Sequence, residues 1–188
     1  MTVEIVSIDT KYEGWARFLV VSVRFPSGLL LRREVEDHGA AVAVLAYDPE
    51  RKTAILVQQF RAPVFFSTRQ VETLEAIAGI QEEADPSATA RREAREEAGL
   101  ELHSLEHIAT AWTMPGISTE QMTLYLASYR HVDRIGTGGG ISTEQENLSA
   151  VEIELAKLDE IMTGSQITDM KTLVLVQALK LRHPDLFA

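Results

Sequence analysis

Glu93, Glu96 and Glu97 are spaced i, i+3 and i+4, so on an α-helix their carboxylates leave one face within a few ångströms of one another. Like charges at that spacing cost stability. They also fall near the C-terminal end of the expected helix, where the macrodipole disfavours anions, so local stability would select other residues. Alone, such a run reads as a solvated face neutralised by Arg91, Arg92 and Arg95. Around a hard cation the same carboxylates do chemistry: Mg²⁺ is held by few carboxylates, keeps several waters and takes its remaining ligands from substrate phosphate. Outside this run, Arg61 carries a planar fork that suits a diphosphate or a base edge, or a structural ion pair. Glu120 follows a Pro-Gly turn, and Glu144 and Glu146 follow the run Gly138-Gly139-Gly140, which allows unusual backbone angles. The five histidines are scattered singly and none reads as catalytic, and without cysteine there is no disulfide, thiolate metal site or cysteine nucleophile.

These residues need a scaffold, and 188 residues with 45% apolar and 24% charged side chains suit one ordinary globular domain, or one with a small appendage. A net charge of −10 with no dense basic run argues against nucleic acid and anionic membrane as partners. If the substrate is a polyanion, cations must bridge the two. The N-terminus lacks a basic segment followed by an apolar stretch, and the longest apolar run, near residues 40–47, is too short to span a bilayer. The expected product is a soluble, unexported, cytoplasmic protein.

Residues 15–25 and 29–35, around the turn Pro26-Ser27-Gly28, read as a β-hairpin. An isolated hairpin is marginal in water, so this segment needs the rest of the chain or a second copy to pack on. Residues 40–47 and 54–60 read as a second strand pair across a polar turn. The clearest helix is 86–98, with Asp85 as N-cap, Pro86 at the first position and Gly99 past the end. Further strands are expected at 104–113, 121–129 and 150–155, a loop at 136–145, and helices at 158–162 and 169–181. Strands interleaved with few helices suggest an α/β or α+β sandwich.

The segment AGIQEEADPSATARREAREEAGL resembles the Nudix box between Gly79 and Leu100. Its second half fits position by position, with Arg92-Glu93, Glu96-Glu97, Gly99 and Leu100 in the family's places and Ala94 where a larger apolar residue is usual. Its first half is one residue short, so that Glu82, Glu83 and Asp85 are all candidates for the family's first glutamate. RREVEDHGAAVAVLAYD and AILVQQFRAPV resemble the strand pair of ADP-ribose and GDP-mannose pyrophosphatases, LEAIAG their entry to the box, and Pro115 a proline of the ADP-ribose group. The run from Gly138 to Gly140 and TDMKTLVLVQAL are most similar to the GDP-mannose enzymes.

The resemblance implies an α/β (α+β) fold, a Nudix α/β/α sandwich over residues 38–188 with an N-terminal β-hairpin dimerisation segment over residues 1–37. It implies Mg²⁺, with Mn²⁺ as a substitute, on Glu93, Glu97 and the Ala78 carbonyl, with Glu96 a further ligand or a neighbour of one. Arg92 would orient the glutamates. Arg61 and Glu75 would contact substrate, Glu120 the terminal ribose or sugar, and Glu146 or Glu144 would be the general base. The implied reaction is hydrolysis of the pyrophosphate bond of a nucleotide sugar, GDP-mannose before ADP-ribose, by a homodimer whose protomers complete each other's sites. The rival from another class is a non-catalytic nucleotide-sensing regulator, and the three intact glutamates favour the enzyme.

Overall fold

The computed structural model describes residues 2–140 and 148–188, and these form two compact units. The first comprises residues 1–41 and 110–122. It contains β1 (Glu4–Glu13), β2 (Arg17–Arg24) and β3 (Leu30–Asp37), an antiparallel sheet in that order. The turn expected at Pro26-Ser27-Gly28 is present, with Gly28 at φ 87° joining β2 to β3. The hairpin is thus extended by a third strand. β1 escaped the sequence reading because its register shifts between Ile5 and Ser7 and again between Thr10 and Tyr12, so its apolar residues lose the two-residue period of a regular strand.

The second unit comprises residues 42–109 and 123–188. Its sheet runs β10 (Leu148–Glu154), β5 (Thr53–Gln59), β4 (Ala41–Asp48), β9 (Gln121–Ser128), β8 (Glu106–Trp112). The short strands β6 (Thr73–Glu75) and β7 (Ile77–Ile80) pair with β5 and β4. β4 sits in mid-sheet and is buried along its whole length. Val42, Val44 and Ala46 share a core cluster with Ala90, Ala94 and Ala98 of helix α2 (Pro86–Ala98), and the alanine stripe at i, i+4, i+8 is what lets that helix lie close to the strands. Ala43 and Leu45, on the opposite face of β4, are also fully buried, so both faces of the sheet are covered. The remaining helices are α1 (Ala62–Thr68), α3 (Leu155–Thr163) and α4 (Met170–Arg182). Among the described residues no helix is long and apolar enough to cross a membrane.

Candidate active site

Helix α2 starts and stops where its end residues dictate. Asp85 accepts from the Ser87 amide, Pro86 occupies the first turn, and Gly99 at φ 63° closes the last turn by donating to the Ala94 and Arg95 carbonyls. Between these caps Glu93 and Glu97 lie beside the alanine stripe and are pulled inward with it, to 8% and 2% exposure. They meet strand β7. The Ala78 amide donates to Glu97 Oε2 at 3.1 Å, and Gly79 passes so close to Glu93 that a Cβ there would overlap the carboxylate. The first glycine of the resemblance thus lets strand β7 pass close to the first glutamate on the helix.

Arg92 gathers the rest of the acidic face. Its Nη1 donates to Glu96 Oε2 at 2.7 Å and its Nε to Glu83 Oε1 at 3.1 Å, and its Nη2 lies 2.8 Å from Glu93 Oε1 and 3.4 Å from Glu82 Oε2. Burial opposes the charge on Arg92, but the surrounding glutamates, Glu93 foremost, outweigh it and raise its pKa. Glu83 also accepts from the Thr89 hydroxyl, which, ahead of Arg92, lowers its pKa. Of the three candidates for the missing first glutamate, Asp85 serves as the helix cap, Glu82 is exposed, and Glu83 is locked to the box arginine.

The carboxylates of Glu93 and Glu97 are of the oxygen type that a hard cation takes. Among the described residues no three acidic or histidine side chains are gathered tightly enough to enclose an ion by themselves. Mg²⁺ does not ask for that, since a few carboxylates hold it while water and substrate oxygens complete its shell.

Arg61 and Glu75 are brought together as a bidentate pair, with Nε and Nη2 each 2.9 Å from a Glu75 oxygen. Lys171 Nζ at 2.5 Å, Thr73 Oγ1 at 2.5 Å and Gln59 Nε2 at 3.4 Å also donate to Glu75. Burial would raise the pKa of Glu75, but the hydrogen bonds from Arg61 and the charges of Lys171 and Arg61 prevail and hold it at about 2. The negative charge of Glu97 is among the groups that raise the pKa of Arg61 against its burial, which puts this cation within electrostatic reach of the carboxylate helix. Lys171 and Thr172 were not singled out from the sequence. Thr172 Oγ1 donates to Asp169, the N-cap of α4, and accepts from the Ala76 amide at 2.6 Å, so the TDMKT run ties α4 to the link between β6 and β7, two residues before Ala78.

Glu120 belongs to the first unit and the other described site candidates to the second. There His38 places Nδ1 2.5 Å from Glu36 Oε1 and Nε2 2.8 Å from Glu120 Oε2, with Trp15 stacked on the imidazole at 4.8 Å. Burial would lower the pKa of His38, and the bonds to the two carboxylates reverse that and raise it. Glu144 and Glu146 lie outside the described residues.

Comparison with known proteins adds four findings. A family model described as NUDIX domain matches residues 37–173. An ADP-ribose pyrophosphatase of Haemophilus influenzae is 36% identical over 134 residues, 65% of this chain and 61% of that protein's length. A GDP-mannose pyrophosphatase of Cronobacter sakazakii is 35% identical over 152 residues, 80% of this chain and 78% of the relative. A solved structure described as an ADP compounds hydrolase superposes over 97% of both chains with a TM-score of 0.75 at 16% identity, which is a likeness of fold.

Proposed function

The chain belongs to the Nudix family, and from that premise we propose that it is a Mg²⁺-dependent pyrophosphatase of nucleotide sugars, releasing a nucleoside monophosphate and a sugar phosphate. The observation that carries this reading is the buried pair Glu93 and Glu97 held against the backbone of Ala78 and Gly79. Two carboxylates kept side by side on a helix face, at an expense in stability, call for a cation. Glu93, Glu97 and the Ala78 carbonyl, with Glu96 beside them, would hold Mg²⁺, which would supply polarisation of the phosphoryl oxygens and neutralisation of the charge on the departing phosphate. Mn²⁺ fits the same oxygen ligands.

The chain's own residues do the rest. Arg92 holds Glu93 and Glu96 in place by charge and hydrogen bonds. Glu75 fixes the guanidinium of Arg61 by two parallel bonds, so its half-exposed plane is oriented before a diphosphate arrives. Glu146, with Glu144 as the other candidate, takes the proton of the attacking water. Glu120 contacts the sugar, and a second copy of the chain completes the site through residues 1–37.

GDP-mannose is the favoured substrate because the box is shortened and followed by the run from Gly138 to Gly140, and the relative from Cronobacter sakazakii bears that activity in its name. The Haemophilus influenzae relative keeps ADP-ribose, cleaved to AMP and ribose 5-phosphate, as the second reading. A product assay across a panel of nucleotide sugars with Mg²⁺ tests both. GDP-mannose is expected to be cut fastest and ADP-ribose measurably. Faster cleavage of nucleoside triphosphates or dinucleoside polyphosphates would reject the substrate class, and no cleavage of any of them would favour a nucleotide-sensing regulator.

A further inference from the structure

The three glycines at 138–140 meet α2 at its most sensitive point. The last four carbonyls of any helix lack partners within it. In α2 the Arg95 carbonyl is taken by the Gly99 amide, and the Leu100 amide reaches back to the Ala94 carbonyl. Those of Glu96 and Glu97 are taken from elsewhere in the chain, by the Gly140 amide at 3.1 Å and the Gly139 amide at 2.9 Å. The glycines hold φ values of 70°, 115° and 73°, a region open to glycine and strained for most other residues. The fit leaves no room for a side chain, since a Cβ on Gly138 would overlap the Glu97 carbonyl and press on the Ala98 Cα. The segment is moulded onto the backbone of two residues whose side chains form the acidic face. A helix C-terminus repels carboxylates because its free carbonyls concentrate negative charge. Two N–H donors placed there offset part of that charge, where a cluster of glutamates most needs it.

We propose that Gly138, Gly139 and Gly140 are positioning residues for the divalent cation: Gly138 packs against the backbone of Glu97 and Ala98, the Gly139 and Gly140 amides cap the carbonyls of Glu97 and Glu96, and together they fix the last turn of α2 and the direction in which Glu93 and Glu97 present their carboxylates. This rests on the metal reading given above. The coupling is reciprocal, so a cation on the glutamates tightens the glycine cap as much as the cap tightens the cation.

Mn²⁺ binding, followed by the loss of the free-ion signal in electron paramagnetic resonance, separates the possibilities without an activity assay. Gly138→Ala is expected to weaken Mn²⁺ binding by about tenfold or more. Gly28→Ala introduces the same kind of strain at φ 87° but has nothing within 4 Å of its Cβ, and it is expected to bind as the wild type does. Glu97→Gln reports on the underlying reading: if it too binds Mn²⁺ like the wild type, the metal assignment fails. If Glu97→Gln loses Mn²⁺ while Gly138→Ala keeps it, the positioning role alone is overturned. A second measurement needs no variant to fold. Amide exchange at Gly139 and Gly140 of the wild-type protein is expected to slow when Mg²⁺ is added, and unchanged exchange in protein that binds the ion rejects the inference.

Discussion

Glutamate and glutamine differ in charge and hardly in size, which makes Gln the cleanest probe of each acidic side chain. Glu97→Gln and Glu93→Gln are expected to lower kcat with Mg²⁺ by ~100-fold or more, since losing even a partner of a metal ligand costs 10–100-fold, while denaturant midpoints move little. Turnover near that of the wild type in either variant removes the helix from the metal site. Glu146→Gln is expected to reduce kcat by roughly 10²–10⁴-fold with little change in KM or Mg²⁺ affinity, the signature of a group acting in the transition state. If that variant stays active and Glu144→Gln is dead, the base is the other glutamate. Glu75 has a different role, legible in acid. Its pKa of about 2 in the folded chain lies below the ordinary 4.5, so its stabilisation is full above pH 4.5 and is lost as the pH falls toward 2. The shift corresponds to about 3 kcal/mol. Urea titrations from pH 6 to pH 2 should show that part of the slope in the wild type and lack it in Glu75→Gln. The spacing of Glu93, Glu96 and Glu97 put them on one helix face, and only the resemblance set them apart from a solvated surface; the pairing of Arg61 with Glu75 was not legible, because the two are fourteen residues apart and meet only through strand pairing.

Helix α2 could be read to the residue because both ends announce themselves, with Asp85-Pro86 before and Gly99 after. Helix α1 carries no side-chain cap and has only seven residues, including Val64, Phe65 and Phe66, so composition pointed away from a helix. Strands β6 and β7 have three and four residues, too few to display a period. Strand β10 and helix α4 were visible, but what α4 grips was not, because Thr172 reaches across ninety-six residues to Ala76. That grip is testable. Thr172→Val keeps the shape and leaves the buried Ala76 amide without its acceptor, at an expected cost of about 1–3 kcal/mol in chemical denaturation. In the first unit, Glu36 in β3 exchanges backbone hydrogen bonds with Ile117 and Thr119, and His38 adds a charged link to Glu120 over the same junction. Both ring nitrogens face carboxylates, so the imidazolium satisfies the site best. The folded-state pKa is raised, so this contribution is complete below the ordinary value near 6.5 and fades as the pH climbs through the raised one. His38→Asn is therefore expected to lower the melting temperature more at pH 6 than at pH 9, and equal losses at both would refute the charged link.

For the molecule as a whole, the net charge of −10 sets the terms on which a diphosphate is met: without divalent cations, repulsion is expected to hold substrate off. The first unit leaves Ile5, Ile8, Tyr12 and Trp15 more than half exposed, more apolar surface than a short sheet retains without a partner. Sedimentation at micromolar concentration is expected to give about twice the chain mass of 20.9 kDa, and a fully active monomer would reject a site shared between copies. Strand β1, which carries Ile5, Ile8 and Tyr12, limits what such surface can do by itself. A straight, apolar strand edge is a template on which further chains can stack into fibrils. Strand β1 is kinked between Ile5 and Ser7 and between Thr10 and Tyr12, and it carries Glu4, Asp9, Lys11 and Glu13 among its apolar residues. Each register shift disturbs the even spacing of the ladder, so a newly made chain can display its sticky side chains without offering the straight, regular backbone that amyloid growth copies.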